Sequence, residues 1–128
     1  MPIAAWCLLI IVIMPLVAVG FAKAGAGYDN REPRQWMQTL EGARRRAYAA
    51  HINCYEALMV FLACLFIAVW TDAPSPLVDT LAVIFVLARI GYVAAYIGDR
   101  PAARSFVWSV AYLSSLALAL SSLIPHAG

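Results

Sequence analysis

Residues Arg44 to Phe66 read RRRAYAAHINCYEALMVFLACLF, and this stretch decides the fold. Three arginines lead into a run that is apolar except for His51, Asn53 and Glu56. At about 1.5 Å per residue, Glu56 falls on the order of 15 Å beyond the arginines, inside the hydrocarbon core if this helix crosses a bilayer. An ionisable group at that depth costs roughly 2.5–3.5 kcal/mol on insertion scales, so it must face protein or a water-filled cavity. A basic partner at matching depth is therefore expected, and Arg89 supplies it.

The 128-residue chain around this stretch is 64% apolar and 12% charged, whereas ordinary soluble domains carry about 25% charged residues. That composition belongs to a membrane protein, and the length suits one domain over residues 1–128 built from four spans. A net charge of +2 is too small to suggest a nucleic-acid partner. Cys7, Cys54 and Cys64 all lie in apolar segments. An odd count in such surroundings argues against a disulfide framework, and the spacing matches no zinc pattern. No metal site is expected, and the three thiols read as packing residues.

Four apolar runs predict membrane-crossing helices at about 3–22, 47–70, 77–97 and 103–123. The first reads as a retained span rather than a cleaved leader, because no basic residue precedes it and it is longer than an h-region. Pro15 within it predicts a kink. Lys23 to Glu41 is the one long polar connection: Gly25 and Gly27 end the first helix, Asn30 to Pro33 form a turn, and Gln35 to Arg46 form a lead-in helix. Trp36 and Tyr28 suit the interface belt. This segment is either a solvated loop or a roof over a binding site. The other connections, TDAPSP and Gly98-Asp99-Arg100-Pro101, are short, so sequential helices are expected to lie antiparallel. The fold class is all-α, an integral membrane four-helix bundle.

The basic residues orient it. Lys23, Arg31, Arg34, Arg44, Arg45 and Arg46 lie in or beside the first connection, Arg100 and Arg104 in or beside the third, and Arg89 nearer that end of its helix. The opposite connection carries Asp72 and Asp79 and no base. The positive-inside rule places the basic side in the cytoplasm and both termini outside it.

The intramembrane polar groups gather in the same half. Asn53 and Glu56, three apart, share one face of the second span. Arg89, about 12 Å from the basic end of the third, recurs with Tyr92 and Tyr96 on one face. Arg104, Trp108 and Tyr112 repeat every four residues on the fourth, with Ser105 beside Arg104. One account is a structural Glu56–Arg89 ion pair that ties two helices together, with His51, Phe106 and Trp108 as packing residues. The other is a pocket for an anionic, zwitterionic or amphipathic ligand, in which arginines hold carboxylates bidentately and a carboxylate holds an ammonium group.

The run Arg46-Ala47-Tyr48-Ala49-Ala50-His51-Ile52-Asn53-Cys54-Tyr55-Glu56, with Phe61 beyond it, resembles the signature of the MAPEG family, membrane-associated proteins in eicosanoid and glutathione metabolism. Arg89 followed by Tyr92 and Tyr96, then Gly98-Asp99-Arg100 and Arg104-Ser105, agrees with it, so the likeness runs from Arg44 to Leu120 and suggests a bacterial-type member in an inner membrane. The resemblance implies a four-helix subunit assembled as a homotrimer, with glutathione bound between subunits near the cytoplasmic face. It implies that Arg104 stabilises the glutathione thiolate, and that Arg46, Asn53, Glu56, Arg89, Tyr92, Tyr96 and Ser105 help to hold the cofactor. Ala49 and Ile52 stand where the eicosanoid enzymes of the family have arginines, which removes anchors for glutathione carboxylates; Arg44 to Arg46 are the candidate replacements.

The reading that follows is a glutathione S-transferase or peroxidase acting on hydrophobic electrophiles delivered from membrane lipid. A thiol attacks as its thiolate, and a fixed cation near a helix start favours that form. Two alternatives stand beside it: a non-catalytic lipid-binding or scaffolding protein of the same fold, and a small four-helix transporter. The transporter is disfavoured because such exporters carry their glutamate in the first helix, which here has no charge before Lys23.

Overall fold

The computed structural model describes residues 2–25 and 27–125. Four long helices dominate: α1 (Ile3–Lys23), then, after a short α2 (Pro33–Gln38), α3 (Gly42–Trp70), α4 (Ser75–Ile97) and α5 (Pro101–Leu120). A 3-10 turn, Ser121–Leu123, extends α5, and no strand occurs among the described residues. Each long helix is long and apolar enough to cross a membrane. The protein is an all-helical integral membrane protein. α1 is continuous through Pro15. The lead-in helix expected over residues 35–46 is instead two pieces. Thr39 Oγ1 donates to the Trp36 carbonyl at 2.7 Å and closes α2, and Gly42 at φ +61° opens α3 with a left-handed residue that favours glycine.

Lipid tails are as apolar as leucine, so such helices associate through close packing and hydrogen bonds rather than hydrophobic drive. Small residues accordingly line the contacts: Ala18 and Ala22 of α1, Ala47, Ala50 and Ala68 of α3, and Ala82 of α4 are fully buried. Mid-bundle, the Phe61 ring stacks on Phe85 with centroids 4.3 Å apart, joining α3 to α4.

Long-range caps fix the helix ends. Arg44 Nε donates to the Ala22 carbonyl of α1 at 3.0 Å. Arg46 donates to the Ile97 carbonyl of α4 from Nε at 3.1 Å and from Nη2 at 3.0 Å. Positions 44 and 46 are roughly 200° apart around a helix of 3.6 residues per turn, so one turn of α3 reaches different neighbours on its two sides. Both contacts place a cation on the negative end of a helix dipole. At the far end, Asp79 of α4 accepts the Ala4 N–H of α1 at 2.8 Å, the usual service of an N-cap carboxylate supplied here from another helix. The basic end therefore gathers the end of α1, the start of α3, the end of α4 and the start of α5.

Both tight connections use the same local chemistry. Beyond α4, Asp99 at φ +58° donates its N–H to Tyr96 O at 3.2 Å, and Arg100 donates to Ala95 O at 2.8 Å. Beyond α3, Asp72 at φ +53° donates to Val69 O at 3.2 Å, and Ala73 to Ala68 O at 2.9 Å. These are Schellman closures with aspartate in the left-handed site that glycine usually takes, each followed two residues later by proline. Gly98 itself has φ −75°. Asp99→Val is expected to lower stability by about 1–2 kcal/mol, the left-handed cost of a β-branched residue, while Asp99→Asn stays near wild type. Thermal unfolding of the purified protein in detergent measures both.

Candidate functional site

Two adjoining cavities lie in this bundle, one between α3, α4 and α5 and one between α4 and α5. The deeper one, about 210 Å³, is lined by Asn53, Glu56, Ala57 and Val60 of α3, Phe85 and Arg89 of α4, and Trp108, Ala111, Tyr112 and Ser115 of α5. The second, about 320 Å³, lies toward the basic end and is lined by Tyr92, Tyr96, Arg104, Ser105, Trp108 and Ser109. Trp108 belongs to both, and its ring stacks on Tyr112 at 5.2 Å.

Arg89 is 1% exposed. Its Nη2 donates to Cys54 Sγ at 3.8 Å, and its guanidinium lies 4.0 Å from the centre of the Tyr92 ring. A sulfur acceptor and an aromatic face thus accommodate the cation. No ion pair joins it to Glu56 among the described residues, where Arg31–Asp29 at the surface is the one pair formed. The expected Glu56–Arg89 bridge is therefore replaced by a shared cavity with both groups on its wall. The reason is azimuth. Residues 54 and 56 are about 200° apart on a helix, so turning Cys54 toward Arg89 turns Glu56 to the open edge, where it is exposed. Depth along the helix, which the sequence supplies, carries no such angle.

Asn53 and Glu56 do share a face: Asn53 Nδ2 donates to Glu56 Oε2 at 3.2 Å. Asn53 Oδ1 is buried without a partner, and an unmet buried acceptor costs about 1–3 kcal/mol unless a donor arrives. In the second cavity, the Arg104 guanidinium lies 4.4 Å from the centre of the Tyr96 ring, and Tyr96 meets Tyr92 edge-on at 5.7 Å. Arg104 sits in the first turn of α5, where the helix dipole adds positive potential.

Asn53, Glu56 and Arg89 thus line one cavity, and Tyr92, Tyr96, Arg104 and Ser105 the other. Arg46 lines neither, since two of its N–H groups are engaged by Ile97. His51 holds the Pro15 carbonyl from Nδ1 at 2.8 Å, so that nitrogen carries the proton, and the ring lies between Tyr48 and Tyr55 as a packing residue. Phe85, Ser109 and Ser115 line the cavities without having been singled out by the sequence. The two serines were legible there, because 105, 108, 109, 112 and 115 form one helical stripe. The hydroxyls of Ser109 and Ser115 bond back to the carbonyls of Ser105 and Ala111 at 2.9 and 3.1 Å.

Four apolar helices long enough to cross a membrane, with polar, arginine-walled cavities toward one end of the bundle, define a polytopic membrane protein. This chain belongs to the MAPEG family, whose family model matches residues 3–124. No curated protein and no solved structure matches the chain significantly.

Because Glu56 carries no buried ion pair within the subunit, Glu56→Gln is expected to change subunit stability by less than about 0.5 kcal/mol, as for surface substitutions. A fall of about 3–5 kcal/mol would instead reveal a broken buried pair. Denaturant unfolding of the purified protein in detergent distinguishes the two.

Proposed function

We propose that this protein is a glutathione S-transferase or peroxidase that works on hydrophobic electrophiles at the basic end of the bundle. The observation that carries the reading is Arg104: a permanent cation in the first turn of α5, braced on Tyr96, on the wall of a cavity that also presents Ser105 and the two tyrosines. The residues fit a small anionic thiol. Arg104 meets a thiolate, the unmatched Asn53 Oδ1 accepts an N–H, and the Glu56 carboxylate meets an ammonium group. Bound glutathione supplies a thiol whose ionised form attacks an electrophilic carbon or a peroxide oxygen. Arg104 holds the negative charge at that sulfur, and because its own charge is fixed it lowers the pKa of the thiol without taking up the proton. In this reading a tyrosine hydroxyl or Ser105 of the same cavity wall donates to the leaving oxygen or anion.

The single subunit also supports a homotrimer with antiparallel neighbouring helices. Ile52, Tyr55, Met59, Leu62, Phe66 and Val69 form an exposed apolar stripe along α3, and Glu56 stands beside it. A carboxylate at that depth is costly against lipid, so further copies of the chain are its natural cover. The basic end faces the cytoplasm of a bacterial inner membrane in this reading, with both termini outside. Reporter fusions after Gly128 that are active only in the cytoplasm would reverse it.

A specific observation favours a second reading, a non-catalytic lipid-binding or scaffolding protein. Ala49 and Ile52 offer no charge to a glutathione carboxylate, and Arg46 is engaged with Ile97. Arg104 separates the readings. In a catalyst, Arg104→Ala lowers turnover about 10²–10³-fold, as for removal of one oxyanion donor, raises the pKa of bound thiol and weakens binding much less; Arg104→Lys restores part of the rate. Thiolate absorbance against pH, with glutathione present, reads these effects. Absence of any thiolate signal near neutral pH in the wild type leaves the lipid-binding reading.

A further inference from the structure

The end of α4 and the start of α5 are one hydrogen-bonded piece, and Arg100 is the hinge pin. Its N–H closes α4 on Ala95 O at 2.8 Å, and its carbonyl accepts the Arg104 N–H at 2.9 Å, the first turn of α5. The Tyr96 ring, one residue before Ile97, lies under the Arg104 guanidinium. Within this piece the Ile97 carbonyl is left over. Its helical partner four residues on is Pro101, which has no N–H. The two guanidinium donors of Arg46 occupy it from α3.

We infer that Arg46 is a positioning residue that sets where Arg104 stands relative to the α3 half of the site. The inference rests on the thiol-binding reading for its functional consequence, though not for its geometry. α3 carries Asn53 and Glu56 two to three turns beyond Arg46, while Arg104 belongs to α5. Joining the Ile97 carbonyl to the root of α3 therefore fixes one half of the site against the other. Arginine suits this place because a planar fork can aim two N–H groups at one oxygen, which an ammonium on a flexible stem does not reproduce. The negative end of the α4 dipole favours the charge, and α4 has no basic residue in its own last turn. Arg44 performs the same service for α1 at Ala22, but no cavity residue follows from that helix end.

The test compares Arg46→Lys and Arg46→Ala with the wild type, the lysine variant keeping the charge so that folding survives. Amide hydrogen exchange is read over residues 98–104, alongside glutathione affinity by calorimetry, the pKa of bound thiol and kcat with a chromogenic electrophile. With Arg46→Lys, exchange at 98–104 should accelerate about tenfold, as for loss of one charge-assisted hydrogen bond, with amides in the middle of α3 unchanged. Glutathione affinity should stay within about twofold, while kcat falls about tenfold and the bound thiol pKa rises, the pattern of an interaction made only in the transition state. Affinity lost about tenfold with kcat and thiol pKa unchanged would make Arg46 a direct ligand contact and overturn the inference. So would exchange at 98–104 indistinguishable from wild type. If the wild type binds no glutathione, the thiol reading fails by itself, and the exchange result still decides whether Arg46 fixes the turn that carries Arg104.

Discussion

A guanidinium on a helix-end carbonyl is the interaction on which this bundle depends. In hydrocarbon an unsatisfied backbone group costs several kcal/mol, and every helix ends with carbonyls that lack partners. Here the ends of α1 and α4 are met by Arg44 and Arg46, both from the first turn of α3. One short arginine run thereby solves the backbone problem for two other helices and sets α3 between them. The cations sit unfavourably at the positive end of their own helix dipole, and the negative ends of α1 and α4 offset that.

The same rule of satisfaction, imperfectly met, outlines the site. The Arg89 guanidinium is buried against a thiol and a tyrosine ring rather than a carboxylate. Asn53 keeps an acceptor without a donor, and Glu56 faces outward at a depth where lipid is a poor neighbour. These three polar side chains line the deeper cavity. Alanine contacts and the Phe61–Phe85 stack join the helices around them, with Phe85 also on the wall of the deeper cavity.

Much of this was legible in the sequence. Four apolar runs gave four helices. The one-sided distribution of Lys and Arg foretold a basic end, and the Asn53–Glu56 spacing foretold a shared face that the hydrogen bond between them realises. Another reading failed for an identifiable reason. The segment from Gln35 to Arg46 looked like one helix because its residues are good helix formers; the Thr39 hydroxyl on Trp36 and the positive φ of Gly42 divide it.

What the sequence determined by itself is depth, since position along a helix advances by a fixed rise per residue, and a polar side chain in an apolar run announces its level in the membrane. What only the tertiary structure decided is direction. Whether Glu56 meets Arg89 and whether Arg46 reaches a ligand or a carbonyl depend on how each helix is rotated against its neighbours. That rotation is set by the packing of small residues and by caps such as Arg46 on Ile97, contacts that bring together residues far apart in the chain. No local pattern encodes it.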